Sequence, residues 1–152
     1  SVYDQSFRTP IIFSWPNQLP VSKEKKDLIH TTDIYATILD LINISPPKVL
    51  HGISFKDVIN NKISNPRKYI IGNSNKVRDI GLNADPMGKD SENYWVRSDE
   101  WFFSIDLTNT KQSLYNLQDD QFCNQNLASE KPNIANEMLN KISRWRQERS
   151  SD

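Results

Sequence analysis

The chain has 152 residues, 36% of them hydrophobic and 10% aromatic, enough for one ordinary core without help from disulfides or metals. Lys+Arg and Asp+Glu both number 19, so a net charge of zero gives no electrostatic pull toward nucleic acid or an anionic membrane, and neither is expected as a partner. A single cysteine, Cys123, excludes an internal disulfide and a multi-cysteine zinc site, and no apolar run nears the roughly 20 residues of a membrane span.

In chain order, Pro10-Ile11-Ile12-Phe13-Ser14-Trp15-Pro16 is a continuous apolar run between prolines and predicts a short strand buried on both faces over 10–16. A polar loop with the run Lys23-Glu24-Lys25-Lys26 follows, read as a solvated segment. Thr31 or Thr32 can cap a helix over 32–43, with Asp33 in its first turn and Ile34, Ile38, Leu41 and Ile42 at helical spacing as its core stripe. Ser45-Pro46-Pro47 ends it. Gly52 marks a turn, Ser54 can cap a short helix through Ile59, and Tyr69-Ile70-Ile71-Gly72 reads as a strand. The stretch 73–93 has no apolar period and predicts a long loop of the kind that often sets substrate selectivity.

From 94 onward the pattern changes. Tyr94-Trp95-Val96-Arg97 and Trp101-Phe102-Phe103-Ser104-Ile105, broken by Ser98-Asp99-Glu100, predict a β-hairpin, and Ser113-Leu114-Tyr115-Asn116-Leu117 adds a third antiparallel strand. Pro132 opens a terminal helix over 132–147, whose Ile134, Met138, Ile142 and Trp145 would cover one side of that sheet.

Three stretches carry a family resemblance. Tyr3-Asp4-Gln5-Ser6-Phe7-Arg8-Thr9-Pro10 leading into Trp15-Pro16 is similar to a Tyr-Glu-x-x-x-Arg-x-Pro motif, with Asp4 for the usual glutamate. Asp33-Ile34-Tyr35-Ala36-Thr37-Ile38-Leu39-Asp40-Leu41 and His51-Gly52-Ile53-Ser54-Phe55 resemble an Asp-Leu-x-Pro-Thr-Leu-Leu-x-Leu helix and an Asp-Gly-x-Ser-Leu turn, with Ala36 and His51 as departures. Leu114-Tyr115-Asn116-Leu117 through Asp120, Asn126, Leu127 and Ala128 looks like Leu-Tyr-Asp-Leu-x-x-Asp-Pro-x-Glu-x-x-Asn-Leu-Ala; Asn116, Gln121 and Cys123 depart from it. Their order and spacing resemble the C-terminal portion of the type I sulfatases.

The resemblance implies an α/β fold: residues 1–72 ending an alkaline-phosphatase-like core, the loop 73–93, and 94–152 as a small antiparallel sheet with a C-terminal helix. It implies a parent that hydrolyses sulfate esters, with a formylglycine nucleophile made from a Cys/Ser-x-Pro-x-Arg motif and a calcium ion. It also implies a sulfated small molecule or carbohydrate as partner and a periplasmic or secreted location. The start at Ser1 without methionine suggests a piece of a longer protein, and the family's catalytic lysine would fall just ahead of residue 1.

The family's reacting groups are expected upstream, with no catalytic residue, metal ligand or bound cofactor in this chain. Cys123 is followed by Asn124-Gln125-Asn126-Leu127, without the required proline and arginine, and reads as a structural thiol. In Ser64-Asn65-Pro66-Arg67 the arginine comes one position early, and the stretch reads as a turn. Substrate-contact candidates are His30, Arg8, Trp95 and Arg97. His30 has a helix-entry role as its alternative, Arg8 a pairing with Asp4, and Trp95 with Arg97 and Trp101 either an aromatic-cationic pocket wall or core packing. Other enzymes open to the parent are a phosphodiesterase or phosphonate monoester hydrolase of the same superfamily, and outside enzymes a non-catalytic binding or structural domain.

Overall fold

The residue patterns predict strands and helices mixed before residue 73 and an antiparallel sheet with a terminal helix from 94 onward, and the computed structural model has the latter and only part of the former. It describes residues 4, 8–21, 24–64, 66–73, 93–108 and 110–149. The chain forms two units, Thr9–Ile70 and a second made of Ser1–Arg8 with Ile71–Asp152. The predicted loop 73–93 lies outside the described residues except for its two ends.

The sheet unit holds β1 (Tyr69–Asn73, on which the division falls), β2 (Asn93–Ser98), β3 (Trp101–Asp106) and β4 (Lys111–Asn116), in the order β1-β2-β3-β4. β2 and β3 pair antiparallel around the Ser98-Asp99-Glu100 turn, with Val96 opposite Phe103, and β4 continues the meander with Leu114 opposite Phe103. That row joins Ile71, Trp101 and Ile105 in a core closed by Ala135, Met138 and Ile142 of the terminal helix, Pro132–Arg149. Ile134 and Trp145 pack partly buried against the same core, as the predicted stripe requires. Each fully buried side chain of this size contributes about 1.5–3 kcal/mol, so this cluster dominates the unit's stability.

The opposite sheet face is also covered. Trp95 and Phe102 are buried there, 6.4 Å apart, and Gly72 runs beneath the Trp95 ring so closely that a Cβ would meet its indole nitrogen at 2.9 Å. Burial on both faces explains why β3 is a near-continuous apolar run rather than an alternating one.

The Thr9–Ile70 unit holds a ten-residue helix, α1 (Thr32–Leu41), and a single turn, α2 (Lys56–Ile59). α1 stops two residues short of the predicted end because Asn43 adopts a left-handed conformation (φ 57°), a common helix stop. Its core is small: Leu28, Ala36, Thr37, Phe55 and Val58 are buried, with Phe13 edge-on to Phe55 at 5.3 Å.

Two expectations for this unit are corrected. The run 10–16 is not a buried strand: residues 8–15 have no regular structure, and Ile12 is 89% exposed. A strand is made by its partners, and among the described residues the sheet is limited to β1 to β4. The second correction concerns α1. Its buried residues are Asp33, Ala36 and Thr37, whereas the predicted core positions Ile38 and Ile42 are 43% and 46% exposed. Periodicity identified an apolar face correctly; polar contacts on the other face decide which side is buried.

Candidate functional site

The first constellation is built on Asp33. Buried polar groups must find partners or lose roughly 1–3 kcal/mol each, and Asp33 is fully provided for. It accepts from Arg67 Nε at 2.7 Å, from the His30 backbone N–H at 2.8 Å and from the Ile53 N–H at 2.8 Å, and Arg67 Nη2 completes a two-pronged pair. One turn along, the Thr37 hydroxyl donates to the Asp33 carbonyl and accepts the Phe55 N–H. The segment through Gly52 is thereby laid along α1, with a Cβ at Gly52 falling 2.8 Å from the Thr32 carbonyl carbon, which accounts for the glycine. Burial alone would raise the Asp33 pKa; the hydrogen bonds from Arg67, Ile53 and His30 outweigh it and hold the carboxyl below its ordinary 3.8.

His30 sits at the entry to α1. Thr31 already has helical backbone angles and makes no side-chain cap; instead His30 Nδ1 accepts the Thr32 N–H at 3.2 Å and lies 2.9 Å from Thr32 Oγ1. The cap therefore comes from the residue before the predicted threonines.

A second constellation lies in the sheet unit. Arg97, on the same sheet face as Phe102, points its Nε at Asp4 Oδ1, 2.7 Å away, and Asp4 is buried at 2% exposure. Arg8, largely exposed, stands 3.8 Å from the other Asp4 oxygen. Pairing of Arg8 with Asp4 was expected; the stronger partner, Arg97, was not. Of the four predicted contact residues, Arg8 and Arg97 converge on Asp4, Trp95 is buried over Gly72, and His30 belongs to the other unit.

Cys123 is buried, in a left-handed conformation (φ 56°), within the turn that follows β4. Burial is the main cause that pushes its thiol pKa up, with the Asp4 and Asp120 charges adding to it against a backbone hydrogen bond from Asp4. The thiol is protonated at neutral pH and shielded, so the native protein should react with a disulfide reagent at least about tenfold more slowly than the unfolded chain, followed by thiolate release. Equal rates would show that the thiol is open to solvent.

The acids beside it serve the turn: Asp120 accepts the Gln125 N–H at 2.8 Å, and the backbone N–H groups of Gln125 and Asn124 lower its pKa. Asn126 then closes the outer edge of β4, its Oδ1 accepting the Leu114 N–H at 3.0 Å and its Nδ2 donating to the Gln112 carbonyl at 3.1 Å. The Asn-Leu-Ala stretch thus has a structural task.

Among the described residues no three His, Cys, Asp or Glu side chains converge on a possible metal. A cleft of about 400 Å³ lies beside α1, lined by Ala36, Leu39, Asn43, Pro46 and Gly52. On its rim Asp40 is bound to Ser54 (2.6 Å) and Lys56 (3.0 Å), in part through an exposed ion pair. This is a set of structural contacts, with no nucleophile and base placed together.

Comparison with known proteins decides what these two constellations belong to. Residues 1–148 match the family described as N-sulphoglucosamine sulphohydrolase, C-terminal. The chain belongs to this sulfatase C-terminal family. It is 30% identical over 127 residues to an arylsulfatase of Clostridium perfringens, covering 76% of this chain and 24% of that protein. It is 22% identical to an ulvan-active sulfatase of Formosa agariphila, covering 85% of this chain and 30% of that one. The solved structure of the 2-O GAG sulfatase BT1596 superposes with a TM-score of 0.61 at 20% identity, over 79% of this chain and 25% of that one. This sulfatase C-terminal chain therefore spans under a third of the length of these relatives, and its four-stranded antiparallel sheet with a terminal helix is that of the alkaline-phosphatase-like sulfatases.

Proposed function

We propose that this chain is the C-terminal portion of an enzyme that hydrolyses sulfate esters of a carbohydrate, and that the reacting groups lie in the portion of the enzyme N-terminal to it. The match of the sulfatase C-terminal family to residues 1–148 carries this reading. The names of the relatives, an ulvan-active and a GAG sulfatase, support a sulfated carbohydrate as substrate. The residues present do not fit the formylglycine or the calcium that the family implies. Cys123 is buried, lacks the maturation motif and serves a turn, and no carboxylates converge among the described residues. Both groups are assigned to the N-terminal portion.

Within the chain, His30 and Arg8 stay as candidates for the substrate rim. Arg97 and Trp95 are assigned instead to holding the sheet unit together, because Arg97 is engaged by a buried carboxylate and Trp95 is packed over Gly72.

The test is an assay of the full-length gene product and of the 152-residue chain on 4-nitrophenyl sulfate and 4-nitrophenyl phosphate, with calcium. Sulfate release by the full-length protein alone is the expected result. A preference for the phosphate ester would move the parent to the phosphoryl hydrolases, and turnover by the 152-residue chain would overturn the assignment of the reacting groups to the N-terminal portion.

A further inference from the structure

The buried stripe of the terminal helix changes chemistry before the helix ends. Ala135, Met138 and Ile142 face the sheet core, and the positions that continue the same face beyond Ile142 are Trp145, Arg146 and Arg149. Trp145 lies edge-on to Tyr94 of β2, ring centres 6.3 Å apart, and both rings are partly buried against the core. The two arginines are exposed, and each lies over one of these rings. The Arg146 guanidinium carbon is 5.0 Å from the Tyr94 ring centre, and that of Arg149 is 4.3 Å from the Trp145 ring centre.

Packing accounts for the two rings, and the negative end of the helix dipole accounts for a cation in the last turn. Neither accounts for a pair of arginines. One turn apart on a helix, Arg146 and Arg149 are neighbours whose like charges repel. Lys141, earlier on the helix, is matched one turn away by Glu137, whereas the positions one turn before Arg149 hold Trp145 and Arg146, and those before Arg146 hold Ile142 and Ser143. From 141 to 149 the helix carries four basic residues against one acid, Glu148, in a chain whose net charge is zero. A ring beneath a guanidinium limits its motion and leaves the N–H donors round its edge for an anion, so two such groups side by side are ordered before an oxyanion arrives.

We propose that Arg146 and Arg149, backed by Tyr94 and Trp145, form a secondary site for the sulfate groups of a carbohydrate chain, holding a polymeric substrate on the sheet unit while another of its sugar units is processed elsewhere on the enzyme. The proposal rests on the reading of the chain as part of a carbohydrate sulfatase. An anionic membrane is a poorer ligand, since the helix turns its apolar face to the sheet and not outward.

Heparin, hyaluronan and phosphatidylglycerol vesicles are each titrated against the full-length gene product at low and at physiological ionic strength. Heparin should bind at least about tenfold more tightly than the vesicles or hyaluronan, which carries carboxylates and no sulfate. The double variant Arg146→Ala with Arg149→Ala should weaken heparin binding at least about tenfold and make it less sensitive to salt. Arg144→Ala removes the same charge from the other side of the helix and should change it less than about twofold. Unchanged amide protection at Val96 and Phe103 shows that the double variant keeps its fold; if protection is lost, Arg149→Gln alone, assayed in the same way, takes its place.

Equal heparin binding by folded variant and wild type overturns the proposal. So does a wild type that binds no heparin, an equal loss in Arg144→Ala, or hyaluronan or vesicles bound as tightly as heparin. Heparin held through the two arginines by a protein that hydrolyses no 4-nitrophenyl sulfate upholds the site and overturns the sulfatase reading. Hydrolysis of that ester by the wild type, with heparin binding indifferent to the arginines, overturns the site and keeps the enzyme assignment.

Discussion

Asp33→Ala is expected to unfold the Thr9–Ile70 unit while leaving the sheet unit intact. The substitution leaves Arg67 with no carboxylate partner in a poorly exposed position and removes the acceptor of two backbone N–H groups. Breaking a buried pair from one side costs about 3–5 kcal/mol. A unit whose core is Leu28, Ala36, Thr37, Phe55 and Val58 has no such margin. Amide exchange is the direct readout: protection at Ile53 and Phe55 should vanish, while that at Val96 and Phe103 persists. Survival of the first pair of amides would mean that apolar packing, not this carboxylate, holds the segment to α1. The pH dependence follows from the same group. Its folded pKa lies below the ordinary 3.8, so between the two values the unfolded chain binds more protons than the folded one. The stability it supplies is complete above about pH 4 and is lost as pH falls through the folded value. Asp33→Asn should remove that part of the acid transition.

Arg97→Ala is expected to cost the sheet unit about 3 kcal/mol, the lower end of the range for a buried pair, because Arg8 remains 3.8 Å from Asp4 as a weaker, exposed partner. The double variant Asp4→Asn with Arg97→Ala should recover part of this, since an amide left alone is cheaper to bury than a carboxylate. Urea midpoints of the four members of that cycle give the coupling directly. A cycle that adds to zero would return Arg97 to the list of substrate contacts, its pairing with Asp4 then being incidental.

The hairpin, the third strand and the terminal helix were legible in sequence because local pattern and burial coincide there. Val96, Phe103 and Leu114 meet across the register, and Met138 and Ile142 fall at helical spacing onto that row. For α1 the pattern also marked the apolar face, yet what a face packs against is not a local property, and the helix turned its polar side inward to satisfy Asp33. The two ion pairs were illegible for a related reason. Asp33 and Arg67 are 34 positions apart and Asp4 and Arg97 are 93 apart, so nothing in the spacing of either pair distinguishes it from surface charge. A resemblance that included Asp4 and Asp33 pointed at the right carboxylates without naming their partners. His30 was legible as a helix-entry residue, though its ring caps α1 where a threonine was expected.

The Asp4–Arg97 contact also bears on the order in which the chain can fold. β2, β3 and β4 are joined by short turns and can assemble as they emerge, whereas residue 4 must wait for a strand made 93 positions later. Closing a loop of that length costs on the order of 4 kcal/mol, more than the contact repays before the sheet exists to bury it. Asp4 is therefore among the last groups of the sheet unit to settle. During synthesis the Asp4 carboxylate is made long before the strand that will bury it, and the completed sheet then takes it up.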